Sequence, residues 1–242
     1  MRCASTGEQA GSAQERPPLS VIIPAYNEAG TIGTVLRRVL ESPVEKEVVV
    51  VDDGSTDGTA GEVEEFREAG VRLVRHGRNR GKGAALRTGF DAARGRIILI
   101  QDADLEYDPE NYVALLKPLM DGRADVVYGS RFSGGPHRVL YFWHHAANRA
   151  LTLWSNLLSN INLSDMETGY KVFRREVVEG LKLRERGFGI EPELTQKIAR
   201  RGWRIYEIPI SYYGRTYEEG KKIRLKDALW AAWCVVRYAL AD

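Results

Sequence analysis

Cysteine is almost missing from this chain of 242 residues: only Cys3 and Cys234 occur, near opposite ends. Without a CxxC pair or a Cys/His cluster, neither a disulfide framework nor a structural zinc site is readable, which fits a reducing compartment. An excess of one charge is missing too. Lys plus Arg number 35 and Asp plus Glu 33, for a net charge of +2, whereas a dedicated nucleic-acid binder carries a strongly basic face. No nucleic-acid partner is expected. Long apolar runs are also lacking. A membrane span needs about 20 apolar residues, yet segment 150–164 is loaded with Asn and Ser, and the apolar segment 228–236 stops at Arg237. Residues 1–18 hold no apolar core and so no signal peptide; rich in Ser, Gly, Gln, Glu and Pro, they read as a disordered tail. The four histidines, His76, His137, His144 and His145, form no ligand pattern and stand near no Ser or Cys nucleophile. Each reads as a surface or helix-packing histidine. No triad and no dinucleotide-type GxGxxG is present.

With 43% hydrophobic and 28% charged residues, the chain belongs with soluble globular proteins rather than disordered ones. Short β-branched runs begin at Leu19, Glu47, Val71, Arg96 and Asp125. Between them lie segments of helical spacing, such as Ile32, Val35, Leu36 and Val39 on one stripe. Strand and helix alternate to about Ser130, which predicts an α/β fold: a mostly parallel sheet with helices on both faces. Beyond it, 138–161 and 192–201 read as helices, 169–173 and 203–213 as strands (the latter interrupted by Pro209), 215–226 as a charged loop and 225–240 as an amphipathic helix.

Ligands of such sheets sit at the carboxyl ends of the strands. Three of the four first exits there carry acids. Asp102-Ala103-Asp104 follows a buried strand, with Glu106 two positions on. Carboxylates at i and i+2 of a strand exit can face one small volume, and Mg²⁺ favours one or two carboxylates plus substrate phosphates. The competing reading is helix capping, favoured for Asp108 before Pro109. Val51-Asp52-Asp53-Gly54-Ser55 can present a carboxylate to a base or a ribose, or be a turn that caps itself. Pro24-Ala25-Tyr26-Asn27-Glu28 offers a ring for stacking and an acceptor, or a helix entry with Asn27 as cap. Gly81-Lys82-Gly83 invites a P-loop reading that fails: no Ser or Thr follows the lysine, and His76 stands where the leading glycine belongs. Lys82 can still face a phosphate, but it reads first as solvated.

Together, SVIIPAYNE from Ser20, VDDGSTD from Val51, GKGAAL from Gly81, QDADLE from Gln101 and Gly129-Ser130-Arg131 resemble the family 2 glycosyltransferases of the GT-A fold. DMETGYK from Asp165, FGIEPEL from Phe188 and Arg215-Thr-Tyr-Glu-Glu-Gly-Lys221 narrow the likeness to the dolichol-phosphate mannose synthase type, over about Leu19 to Lys222. The resemblance implies a nucleoside held by Pro24, Tyr26, Glu28, Val51 and Asp53. Asp102, Ala103 and Asp104 would hold a diphosphate and a metal, Mg²⁺ or Mn²⁺. Glu106 stands where those synthases usually carry a metal-binding Gln. Arg131 would face the donor or acceptor phosphate, and Arg215 and Lys221 would clamp the donor diphosphate. Many relatives append membrane helices, which this chain does not, so it resembles their soluble, catalytic-subunit-like form.

The expected organisation is a tail at 1–18, a GT-A domain at 19–222 with a nucleotide-sugar half (19–131) and an acceptor half (132–222), and a helix at 223–242. The expected reaction is inverting transfer of a sugar, mannose from GDP-mannose first and glucose from UDP-glucose next, onto a polyprenyl phosphate. A lipid phosphate is already anionic, needs no strong base, and needs cationic positioning from Arg131, with Arg138 the weaker candidate. A sugar-hydroxyl acceptor, as in polysaccharide synthesis, needs a base; Asp165 and Glu191 are the suspects, and either can equally be a loop-bonding acid. A non-enzymatic sugar-nucleotide-binding module is the third reading. Asp104, Arg131 and Asp165 are the expected catalytic set. Two apolar stripes, Leu140, Phe142, Trp143, Leu151 and Trp154, and Leu229, Trp230, Trp233, Val236 and Leu240, can meet a membrane or simply cover the sheet. Lys221, Lys222, Arg224 and Lys226 beside the second favour an anionic surface. A peripheral place on the cytoplasmic face of a membrane follows, with a membrane-anchoring subunit as a possible partner.

Overall fold

A computed structural model describes residues 17–139, 141–215 and 225–240. The expected tail before Pro17, together with Leu140, Lys221, Lys222, Arg224 and the side chain of Lys226, lies outside the described residues.

The sheet has seven strands in the order β3-β2-β1-β4-β6-β5-β7. One edge and the middle are built by the β-branched runs: β3 (Val71–Arg75) at the edge, then β2 (Lys46–Asp52), β1 (Leu19–Ala25) and β4 (Ile97–Ile100). Val48 to Val51 and all four residues of β4 are buried, as strands covered on both faces must be. These four strands pair in parallel. The parallel expectation then meets a local exception. β6 (Lys171–Arg174) inserts antiparallel between β4 and β5 (Val126–Ser130), and β7 (Ile205–Pro209) closes the edge parallel to β5. The extra strand thus separates the β5 exit from the β4 exit.

Helices cover both faces. α1 (Ile32–Glu41), α2 (Thr59–Glu64) and α4 (Tyr112–Met120) lie over one face. α3 (Lys82–Ala92), α6 (Arg175–Glu179) and α7 (Ile190–Arg200) lie over the other. Ile32, Val35, Leu36 and Val39 of α1 are all buried, so the stripe is a core face. α3 packs so tightly that a Cβ on Gly89 would overlap Ile22 of β1. Two long helices, α5 (Phe142–Ser159) and α8 (Leu225–Leu240), pack on each other and α7 outside the sheet. Their exposed faces carry Phe142, Trp143, Leu153 and Leu157, and Leu229, Trp230, Trp233 and Leu240. Asp108 caps the 3-10 turn Pro109–Asn111, accepting from the Glu110 N–H at 3.0 Å. Asn27 caps no helix. α1 starts at Ile32, and Asn27 takes a left-handed φ of 54°.

Candidate active site

The strand exits converge at the carboxyl edge of the sheet, and three loops are stitched there by short polar side chains. The Asn27 N–H donates to Ser55 Oγ (3.0 Å), and the Thr56 N–H donates to Asn27 Oδ1 (2.9 Å). The Glu28 N–H donates to Thr59 Oγ1 (2.9 Å). Thr31 Oγ1 lies 2.9 Å from both Glu28 Oε2 and the Ala103 carbonyl, tying the first exit to the third. Pro24 and Val51 are register partners on adjacent strands, and Tyr26 stands half-exposed at the rim.

Asp53 is buried and saturated. Its oxygens accept from the Arg80 N–H (3.0 and 3.1 Å) and the Gly81 N–H (2.7 Å), and Oδ1 lies 2.6 Å from His76 Nδ1. His76 Nε2 in turn meets Thr88 Oγ1 at 2.9 Å. In this state Asp53 shapes the 76–81 loop. Gly54, at φ +73°, lets that loop approach so closely that a Cβ there would overlap the Arg78 backbone.

Three acids gather around Arg215. Its Nη2 donates to Asp104 Oδ2 (2.6 Å) and its Nε to Glu106 Oε1 (3.2 Å), while Nη1 lies 3.8 Å from Glu28 Oε2. The Arg215 N–H also donates to Glu106 Oε1 (2.9 Å), and Tyr212 OH donates to Glu106 Oε2 (3.0 Å). Burial pushes the Asp104 carboxyl up to about 7; Asp102 and Glu106 add to the push and Arg215 opposes it. Such crowding of acids marks a place that favours cations.

Asp102 has a different partner. Its Oδ1 lies 2.8 Å from Lys82 Nζ, and Lys82 lies 3.2 Å from Glu191 Oε1. Glu191 Oε2 pairs with Lys171, which also donates to the Thr168 carbonyl (2.5 Å). The reading of Lys82 as solvated is therefore corrected: α3 places it inside a buried ion chain. Burial disfavours its charge, but Asp102 and Glu191 hold its pKa above the ordinary lysine value. Gly169 leaves space for Asp102, because a Cβ there would overlap Oδ2. Gln101 anchors the same loop, accepting from Tyr112 OH (2.8 Å) and Tyr170 OH (2.7 Å).

At the β5 exit Arg131 grips Asp165, through Nε to Oδ2 (2.6 Å) and Nη2 to Oδ1 (2.7 Å). Asn148 donates to the same carboxylate (3.2 Å). Burial pushes Asp165 up, but Arg131 outweighs it and holds the carboxyl below its ordinary range. Neither suspected base is thus unpaired: Asp165 is bound to Arg131, and Glu191 to Lys171 and Lys82. The Arg131 guanidinium lies 5.1 Å from the centre of the Tyr212 ring and borders a cavity of about 830 Å³, walled by Phe132, Tyr141, Phe142, Trp143, Leu151 and Phe188. Arg138 lines it too, donating to the Gly214 carbonyl (3.3 Å). Lys221, expected beside Arg215, lies outside the described residues.

The structure thus brings Glu28, Asp102, Asp104, Glu106 and Arg215 into one chamber and Arg131 with Asp165 into the next. Sequence reasoning missed Lys82, His76, Gln101 and Gly169 as site-shaping residues. Lys82, Gln101 and Gly169 lay within the GKGAAL, QDADLE and DMETGYK runs already singled out; His76 lay in none of them.

Comparison with known proteins agrees with this geometry. The model of the family described as "Glycosyl transferase family 2" matches residues 20–181. A polyprenol monophosphomannose synthase of Mycolicibacterium smegmatis is 31% identical over 219 residues, 86% of this chain and 82% of that protein. An undecaprenyl-phosphate mannosyltransferase of Micrococcus luteus is 30% identical over 83% of this chain and 85% of its own length. Among solved structures, glucosyl-3-phosphoglycerate synthase of Mycobacterium tuberculosis, with Mn²⁺, UDP and glucosyl-3-phosphoglycerate, superposes with a TM-score of 0.73 at 22% identity, over 93% of this chain and 81% of that one. A mannosyltransferase of Pyrobaculum calidifontis, with GDP-Man and Mn²⁺, gives 0.63 at 27% identity, over 86% of this chain and 59% of that one. Parallel sheet, acid-lined strand exits and relatives agree: the chain belongs to glycosyl transferase family 2 and is a glycosyltransferase of the GT-A fold.

Proposed function

We propose that this enzyme moves a hexose, first of all mannose from GDP-mannose, onto a polyprenyl phosphate with inversion. The observation that carries this reading is the second chamber, a cavity with a guanidinium at its floor and aromatic walls. A cation beside apolar surface suits a lipid with an anionic head. The relatives named for polyprenol and undecaprenyl phosphate, and the neighbour holding GDP-Man, point the same way. The pairing of Asp165 and Glu191 with buried cations argues against a hydroxyl acceptor, which would need a base. UDP-glucose is the next donor to test.

The donor chamber is assigned by residue. Pro24, Tyr26, Glu28, Val51 and Asp53 bound the nucleoside end, with Tyr26 offering its ring to a base. Asp102, Asp104 and Glu106 suit a hard divalent cation by chemistry, and the raised Asp104 carboxyl marks a shortage of positive charge. As arranged, no three acidic, His or Cys side chains among the described residues share one cation position; Arg215 pairs with Asp104 and Glu106, and Lys82 with Asp102. Asp102, Asp104 and Glu106 would hold Mg²⁺ or Mn²⁺, and Arg215, now paired with Asp104 and Glu106, would then be available to the donor diphosphate, with Lys221 the expected second clamp. A bound cation supplies charge neutralisation to the leaving nucleoside diphosphate. Arg131, held by Asp165, orients the acceptor phosphate for in-line attack at the anomeric carbon.

Residues 19–131 serve mainly the donor and 132–222 mainly the acceptor, with Arg131 crossing to the acceptor phosphate and Arg215 to the donor diphosphate, and the closing helix completing the lipid side. No described helix is long and apolar enough to cross a membrane. The exposed aromatic faces of α5 and α8 suit an interfacial position on the cytoplasmic face of a membrane, and a membrane-anchoring subunit would use the same face. An assay of GDP-mannose and UDP-sugars against a short polyprenyl phosphate, with and without Mg²⁺ or Mn²⁺, tests the reading. Metal-dependent lipid-linked mannose is expected; transfer only to a sugar hydroxyl overturns it.

A further inference from the structure

The acceptor cavity contains a carboxyl, Glu167, that the reaction above leaves idle. Glu167 lines that cavity with Arg131, and its Oε1 is buried without a hydrogen-bond partner among the described residues. The cations facing it are committed elsewhere. Arg131 makes two hydrogen bonds to Asp165, and Lys171 serves Glu191 and the Thr168 carbonyl. A buried carboxyl without its own cation keeps its proton. Burial pushes Glu167 up to about 7; Glu191 and Asp165 add to this, and Lys171 and Arg131 oppose it.

A phosphomonoester loses its second proton near pH 6 and then brings two negative charges. The single charge of Arg131 is already offset by Asp165. A carboxylate at this place would repel the dianion. A carboxylic acid would donate a short O–H···O⁻ bond to it, the stronger kind of hydrogen bond.

We propose that Glu167 binds the acceptor as a carboxylic acid, donating its proton in a hydrogen bond to the phosphate head beside Arg131. This rests on the polyprenyl-phosphate reading. In the transfer, the bond from the anomeric carbon to the diphosphate oxygen breaks and a bond to the acceptor phosphate oxygen forms. The diphosphate leaves with the electron pair, and the acceptor dianion becomes a monoanionic diester. No proton is released, so Glu167 retains its own.

The test is the acceptor KM between pH 6 and 9, for a short polyprenyl phosphate at saturating donor. The charged groups around Glu167 are Arg131 after β5, Asp165 on its own loop, Lys171 on β6 and Glu191 on α7; His137, Arg138, His144, His145 and Asp227 line the same cavity. The limb above pH 8 is the diagnostic one. There the wild-type KM should rise about tenfold per pH unit as one proton is lost. In Glu167→Gln the amide donates without titrating, so KM should stay flat and fall at least about fivefold below wild type at pH 9. Glu167→Ala should bind poorly at every pH. A Glu167→Gln curve parallel to wild type overturns the inference alone. So does a wild-type KM that stays flat above pH 8, a result that needs no variant to fold. A Glu167→Gln protein that melts like wild type yet is dead at every pH makes Glu167 a base, and overturns the inference. Failure of wild type to use polyprenyl phosphate while a sugar hydroxyl is used overturns the reading and the inference together.

Discussion

The two chambers handle negative charge in opposite ways. Before Ser130, Asp53 is held mostly by backbone N–H groups, and Asp104 and Glu106 crowd together with one arginine drawn in from position 215. After it, Asp165, Glu191 and Glu193 each have a dedicated buried cation: Arg131, Lys171 and Lys197. In the proposed reading, the chamber at the β4 exit leaves Asp104 and Glu106 under-compensated for a cation, while the chamber at the β5 exit fixes its charges in advance. Removing a charge should thus impair turnover in the first and folding in the second.

The largest effect is expected from Arg131→Ala. It leaves Asp165 buried without its cation, which costs about 3–5 kcal/mol of stability, read by denaturant unfolding. The pair also sets an acid limit. Asp165 titrates below its unfolded value of about 3.9, so its contribution is full above that value and is lost as pH falls through the folded one. The melting temperature of wild type should drop there more than that of Arg131→Ala. Asp104→Asn should do the reverse, lowering turnover on the order of 10³-fold with a melting temperature near wild type. If it unfolds the protein instead, the contrast between the chambers fails. Gly169→Ala should push Asp102 aside and cost roughly 10²-fold in turnover, since a misplacement of about 1 Å is worth that much. His76→Ala removes one bond from Asp53 and should raise the donor KM about fivefold, near 1 kcal/mol, with kcat little changed; His76→Asn, which restores a donor to Asp53, should recover most of it.

What could be read from the sequence divides along the same line. The valine and isoleucine runs of β1, β2 and β4 announce buried strands locally, and Asp108-Pro109 announces its own cap. The acids at 102 and 104 stand out because they follow such a strand. Lys82 does not, since its burial depends on Asp102 and Glu191, which reach it only through tertiary packing. Asn27 looked like a helix cap because Asn caps helices, but tertiary bonds to the 55–56 turn hold it in a left-handed conformation. The antiparallel β6 was invisible as such, because four residues of strand do not declare their direction. Glu167 drew no notice beside Asp165; only the cavity shows that of the two it is the one without a cation.

The central claim is that acids at the β4 exit bind a cation that neutralises a departing nucleotide while the sugar moves to a lipid phosphate. Its most direct measurement is nucleoside diphosphate release from GDP-mannose as polyprenyl phosphate is added, with divalent cation and then with excess chelator. The account predicts release that rises with the lipid, one nucleotide per mannosyl lipid formed, and collapses in chelator. Release indifferent to the lipid, or equally fast in chelator, would contradict it.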